Sequence, residues 1–490
     1  MYYIGIDLGT SAVKLLLVDE KGKILNSISK EYPLAFPNPG WSEQDPRDWW
    51  KQIKIGLKEL LNNYDSKLVK GIGCGGQMHG LVILDENDEV IRPCILWNDG
   101  RTNKQVDYFN NVIGKDKLSN LTANIAFAGF TAPKILWLKE NEVENFNLIK
   151  KIMLPKDYIN YLLTNEFSTD YSDASGMLLL DVKNKCWSKE MLDICSITEK
   201  QLPKLYESYD IVGKVKEDIC KEFDFEDVIV VAGAGDNAAA AIGTGTVKNG
   251  SCNISLGTSG TIFISNDEFK VDKYNALHSF DHANGKYHLM GCMLSAASCN
   301  KWFAEEILKT NDFDSLQKNI SDDMLGNNNI YFLPYLMGER SPINDTDARG
   351  TFIGIDMHNN QTDMYLAVLE GVAFAIRDSL EVAKDLDIKI IESNICGGGS
   401  KSKLWRKIFA NVLGIRLAIP ESEEGPGYGA AMLAMVANKE YDSIDDCVNN
   451  LIHIKEYEEV DEQLRKRYED KYLKYKKIYP TLKQLFKELK

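Results

Sequence analysis

The tetrapeptide Leu-Gly-Thr-Ser is written twice in this chain, at residues 8–11 and 256–259, each time between two apolar, strand-like runs. A turn of Gly, Thr and Ser exposes backbone N–H groups with little side-chain bulk. Each N–H can give a charge-assisted hydrogen bond to a phosphate oxygen, and glycine lets the main chain come close. One such turn alone reads equally well as an ordinary hairpin. Two, each opening one half of the chain, predict a clamp on a triphosphate from both sides of a cleft. Its cradle would be Thr10, Ser11, Gly257, Thr258 and Ser259.

Two carboxylates stand beside these turns or in similar settings. Asp7 ends the strand before the first turn, where it could hold Mg²⁺ through water, since that ion takes few protein carboxylates while bridging phosphates. It could equally cap its own turn. Asp236, in VAGAGDNAAAAIG, follows a buried strand and starts a helix, so it reads as a helix N-cap or as an acid–base group. Lys14, on the first hairpin, either neutralises phosphate or points to solvent. A further loop, Gly397-Gly398-Gly399-Ser400, lies between a strand and a helix.

Other phosphate signatures are missing. There is no GxxxxGK[ST] and no HRD or DFG set. Residues 233–238 match GxGxxA, but a dinucleotide site needs an acid about twenty residues on, and residues 238–266 contain no Asp or Glu. His278 and His282 have the spacing of a metal pair, with His288 following, yet Ala283-Asn284-Gly285 between them reads as a turn. The ten cysteines include no CxxC pair and read as reduced, buried thiols.

The elements that must position these groups are legible in outline. Residues 2–30 predict a three-strand meander, followed by a helix that Asp45 caps and Pro46 begins. A strand ends in Gly-rich VKGIGCGGQMHG. The stretch 100–225 reads as helical and irregular. The second half repeats the hairpin, adds a long helix over DMYLAVLEGVAFAIRDSLEVAKDL, and ends in one charged amphipathic helix. At 490 residues the chain predicts more than one core, and the repeat places two lobes at 1–245 and 246–490. A net charge of −15, spread along the sequence, argues against nucleic acid or an anionic membrane as partner. The start lacks a basic leader and no apolar run reaches bilayer length, so the expected location is cytoplasmic.

With both hairpins, VAGAGDNAAAAIGTG and NICGGGSKSKLW in view, the chain resembles the FGGY carbohydrate kinases over nearly its whole length. The resemblance implies an α/β, two-lobed fold of the actin, Hsp70 and sugar-kinase (ribonuclease H-like) type, with a cleft between duplicated domains. It implies phosphoryl transfer from ATP, with Mg²⁺, to a sugar hydroxyl. Asp236 then matches the aspartate that accepts the hydroxyl proton, Asn237 reaches a sugar hydroxyl, Asp7 holds the metal, and Gly397, Gly398, Gly399 and Ser400 match the adenosine loop. WSEQDP, GQMHG, ILWNDGR, GFTAPK, LPKDY, HSF, MLSAAS and FLPYLMGERSP are similar to the branch of the family that acts on D-xylulose. In that branch Met78 and His79 face the sugar, and Trp97, Asn98 and Asp99 could line the same pocket, although Asp99 could instead pair with Arg101. Ala12 and Ser341 stand where glycine and threonine are common. Another ketose or polyol, such as ribulose, L-xylulose or glycerol, is the alternative substrate. An actin- or Hsp70-like nucleotide switch is the alternative class. A homodimer would be unsurprising for the family, though no apolar stripe demands one.

Overall fold

Alternation and turn chemistry make the first three strands, and burial on both faces fixes their register. In the computed structural model, which describes residues 1–422 and 424–489, these are β1 (Tyr2–Leu8), β2 (Ala12–Asp19) and β3 (Ile24–Glu31). Ile4, Ile6, Leu15 and Leu17 pack on Trp49, Ile53 and Leu57 of α1 (Pro46–Leu60). That helix starts as expected: the Asp45 side chain accepts from the Arg47 N–H, with Pro46 in the first turn. Between β4 (Val69–Gly76) and the strands β5 (Ile211–Lys214) and β6 (Ile229–Val231) lie α2 (Thr131–Asn141), α3 (Pro155–Thr164) and shorter pieces. α4 (Asp236–Gly243) closes the first half.

The second sheet contains β7 (Cys252–Leu256), β8 (Gly260–Asn266), β9 (His278–Asp281), β10 (Tyr287–Met293), β11 (Glu392–Cys396), β12 (Arg416–Pro420) and β13 (Ile454–Glu458). Its helices include α5 (Gln361–Asp385), α6 (Lys403–Leu413) and α7 (Gly425–Ala437). The sheets run β5-β6-β4-β1-β2-β3 and β9-β10-β8-β7-β11-β12-β13. The first begins with three antiparallel strands and the second with four; in each, two parallel strands and an antiparallel edge follow. β1 therefore corresponds to β7, β2 to β8 and β4 to β11. The repeated tetrapeptide is the visible trace of a duplicated sheet.

The halves exchange a helix. α7 belongs to the second half, yet Ala431 and Met432 join Tyr3, Leu16 and Val18 in one core on the other face of the first sheet. The helix lies so close that a Cβ on Gly5 would stand 1.8 Å from the Gly427 carbonyl oxygen, and one on Gly73 2.0 Å from that of Ala430. The glycines of IGID and GIGCGG therefore serve this contact.

The tail differs from its expected single helix. α8 (Glu462–Tyr475) and α9 (Ile478–Glu488) are separate, because Pro480 fits the first turn of a helix and not the interior of a continuous one. Lys471 is buried in an ion pair with Glu370 rather than solvated. Six of the ten cysteines are buried, and Cys186 is exposed. Among the described residues no helix is long and apolar enough to cross a membrane.

Candidate active site

The first hairpin turn is held from behind by its carbonyls. Tyr32 donates its hydroxyl to the Gly9 carbonyl, and Gln44 Nε2 donates to that of Thr10 at 2.6 Å. The Gly9 N–H closes the turn onto the Ala12 carbonyl at 3.1 Å. The N–H groups of Thr10 and Ser11 meet no acceptor among the described residues. The second turn repeats the device with other parts. The Ala297 N–H takes the Gly257 carbonyl at 2.9 Å, while the Ala296 N–H and the Ser298 hydroxyl take that of Thr258 at 3.0 and 2.7 Å. The N–H groups of Gly257, Thr258 and Ser259 are again unspent. Tying back the acceptors and leaving the donors free is what an anion cradle requires.

Thr258 also lines a cavity of about 470 Å³, together with Gly398, Gly399, Lys401 and Trp405. The three loop glycines divide the work. Gly397 has φ +86° and would set a Cβ 2.8 Å from the Leu256 carbonyl oxygen, so the fold requires it. Gly399 is wedged between Leu256 and Trp405. Gly398 has nothing within 4 Å of its absent Cβ and faces open space. Ser400 turns its hydroxyl back to the Gly397 carbonyl at 2.7 Å, closing the loop rather than pointing outward.

The two carboxylates lie close enough to feel each other. Burial, then the charge of Asp236, push Asp7 up to about 7, against a downward pull from Lys14. Lys14 sits opposite Asp7 across the strand pair and makes an ion pair with Glu424 at 2.5 Å. Burial lifts Asp236 to about 6, opposed by hydrogen bonds from the Asn237 main-chain and side-chain nitrogens to Oδ1 at 2.7 and 2.8 Å. Oδ2 of Asp236 keeps no partner among the described residues. Two carboxylates sharing a half-buried pocket attract a cation. No group of three or more His, Cys, Asp or Glu among the described residues is placed to hold a metal ion, so a cation at Asp7 would need phosphate and water for its remaining ligands.

Met78 and His79 pack beside this acid. Asn237 Nδ2 lies 3.9 Å from Met78 Sδ, and a Cβ on Gly235 would stand 2.9 Å from Met78 Cγ. His79 Nδ1 is 2.8 Å from the Gly176 carbonyl, so Nδ1 carries the proton and Nε2 is an acceptor. Burial, with Lys134 nearby, holds His79 well below the usual range and therefore neutral. Its ring packs at a tilt against Phe130, 4.7 Å between centroids. Trp97 is 41% exposed, and its Nε1 donates to Thr10 Oγ1 at 2.9 Å, which brings it to the phosphate turn. Asn98 is exposed. Asp99 takes the second reading offered for it: it is buried, with one oxygen taken by the Arg101 N–H and Nε, and the other by the Ser42 N–H and Arg101 Nη2. It holds its loop and has no oxygen left for a sugar.

Lys134, which carried no expectation of a role, is buried and donates to the His79 and Gly129 carbonyls at 2.8 and 2.7 Å. Burial, with the Arg101 charge, drops it to about 7 against upward pulls from Cys94 and Asp99. Its only sequence trace is its place in GFTAPK. His278, His282 and His288 are packed among Phe263 and Phe280, His288 stacking on Phe263 at 4.0 Å.

Residues 2–243 match the N-terminal domain of the FGGY family of carbohydrate kinases, and residues 252–438 its C-terminal domain. The chain belongs to this family. Relatives include a xylulose kinase of Escherichia coli K12, 40% identical over 437 residues, which cover 89% of this chain and 90% of the relative. One of Bacillus subtilis is 37% identical over 493 residues, covering 100% and 99%. The crystal structure of a "xyloylose kinase" from Brucella ovis superposes with a TM-score of 0.95 at 38% identity, covering 99% of this chain and 100% of that one. A gluconate kinase from Lactobacillus acidophilus reaches 0.94 at 27% identity, covering 100% and 99%. The kinase thus has the two-lobed, actin-like α/β fold that the resemblance implied.

Proposed function

We propose that this kinase transfers the γ-phosphoryl group of ATP to D-xylulose, giving D-xylulose 5-phosphate and ADP. The observation that carries the reading is the contact of Met78 with Gly235 and Asn237, which sets an apolar side chain beside the carboxylate of Asp236, with the neutral His79 next along the chain. The xylulose kinases at 37–40% identity support the choice of sugar.

Asp236 Oδ2, free of partners, accepts the proton of the sugar 5-hydroxyl as its oxygen bonds to the γ-phosphorus and the bond to the β–γ bridging oxygen breaks. Oδ1 is held by Asn237, which fixes the carboxylate's aim. His79 Nε2 accepts from a second hydroxyl, and the Met78 thioether covers the carbon skeleton. The free N–H groups of both turns take phosphate oxygens, and the cavity at Gly398 receives the adenosine. Asp7 would hold Mg²⁺, which when bound neutralises the charge of the phosphates. ATP as donor supports a cytoplasmic location.

ADP release from MgATP with a panel of ketoses, aldoses and polyols tests the proposal. D-xylulose should give the highest kcat/KM. A higher value with ribulose, gluconate or glycerol would move the substrate and leave the acid–base scheme intact. No stimulation by any sugar would overturn the kinase reading of the site in favour of a nucleotide switch.

A further inference from the structure

Thr10 is gripped twice, by Gln44, which is hydrogen-bonded to the segment carrying Met78 and His79, and by Trp97. Gln44, 2% exposed, donates Nε2 to the Thr10 carbonyl at 2.6 Å. Its Oε1 accepts from Trp49 Nε1 of α1 and from Gln77 Nε2, each at 3.1 Å. Gln77 is 1% exposed and directly precedes Met78 and His79, and its own N–H donates to the Leu8 carbonyl at 2.8 Å. The second grip is Trp97 Nε1 on Thr10 Oγ1 at 2.9 Å. The Trp97 carbonyl would stand 2.5 Å from a Cβ on Gly129, whose own carbonyl Lys134 binds together with that of His79.

We infer that Gln44 is a positioning residue that couples the sugar segment 77–79 to the phosphate turn, with Trp97 as a second strut on the same threonine. The physical reason lies in what each grip leaves free. A hydroxyl that accepts from Trp97 turns its own proton outward, toward a phosphate. A peptide whose carbonyl is bound by Gln44 has its N–H polarised, which strengthens the donor that Ser11 offers. Both amide groups of the Gln44–Gln77 pair are buried, so Gln77 cannot shift without misaligning Gln44, and Gln44 cannot shift without releasing Thr10. Settling a sugar against Met78 and His79 therefore stiffens the ATP turn. Sequence shows Gln44 only as the fourth letter of WSEQDP, 34 residues from the turn that it holds.

The inference rests on the proposed sugar, and the test keeps the two apart. Binding of Mg–AMPPNP, a non-transferable ATP analogue, would be measured by calorimetry with and without D-xylulose, in the native kinase, in Gln44→Met and in Trp97→Phe. Gln44→Met keeps the volume but cannot donate to Thr10, and Trp97→Phe removes one N–H at a partly exposed ring. In the native kinase the sugar should tighten the analogue. Each variant should weaken the sugar-free analogue about threefold to tenfold, the size of one lost hydrogen bond, and should abolish most of the tightening. D-xylulose measured alone should bind Gln44→Met within about twofold of native, which a general loss of packing would not allow. Unchanged analogue affinity and unchanged tightening in both variants would overturn the coupling. If Gln44→Met fails to fold, Trp97→Phe decides alone by the same criteria. If D-xylulose tightens nothing even in the native kinase, the substrate reading fails, and the sugar-free affinities still decide the struts.

Discussion

In the first hairpin Leu8 pairs with Val13, so four residues make the turn. In the second Leu256 pairs with Gly260 and three do. Ala12 of the first stands where the second has Gly260, whose Cβ would lie 2.9 Å from that of Ala296. Asp7 before the first turn is matched by Ser255 before the second. The side chains of Tyr32, Gln44 and Trp97 brace the first turn, whereas mainly main-chain N–H groups, of Ala296 and Ala297, brace the second together with the Ser298 hydroxyl. The shared letters specify free donors and nothing more. What differs assigns the work: the first turn adjoins the carboxylates and the segment proposed for the sugar, and the second adjoins the cavity proposed for adenosine.

Removing the carboxylates should break this contrast most strongly. Asp236→Asn should lower kcat by about a thousandfold, within the range for loss of a general base, with the sugar KM nearly unchanged in steady-state assays. Asp7→Asn should lower kcat/KM for MgATP by about a hundredfold, whereas Ser255→Ala at the matching position should change it less than twofold. Equal losses at Asp7 and Ser255 would mean that the two turns are functionally alike.

Replacing the loop glycines should give a smaller effect and sharpen the nucleotide side of the contrast. Gly398→Val should raise the ATP KM about tenfold and leave the melting temperature alone, because its side chain would enter the cavity. Gly397→Ala should instead lower the melting temperature by several degrees, through positive φ and the Leu256 carbonyl. The reverse pattern would put Gly397, not Gly398, against the nucleotide.

The smallest effect is on stability. Asp7 and Asp236 both sit above the unfolded carboxylate range, so the folded kinase holds protons that the unfolded chain has lost. Stability should therefore fall as pH rises from about 4 through 6 and 7. Asp236→Asn should raise the melting temperature by a degree or more at pH 8 and by nothing at pH 4 when followed by calorimetry. The same titration should appear as an acid limb near pH 6 in the native kcat/KM profile.

Much of this was legible because it is local. The meander, the Asp45 cap, both hairpins and the strand–glycine–helix units all depend on neighbours a few residues apart. Pro480 was a local signal too, and it splits the tail. Asp99 was not decidable from its motif, since either a sugar or Arg101 could take a carboxylate at that spacing. Folding decides it by bringing the Ser42 N–H to the same oxygen.

The sequence by itself determined the two turns, the acids beside them and the family to which the kinase belongs, because a turn's backbone donors and a strand's period are written in consecutive residues. Tertiary structure alone decided that a helix of the second half completes the core of the first, that Asp7 comes within reach of the Asp236 charge, and that Gln44 holds Thr10. Those outcomes depend on main chains packing at glycine distances and on buried amides finding partners far along the chain, which no local pattern encodes.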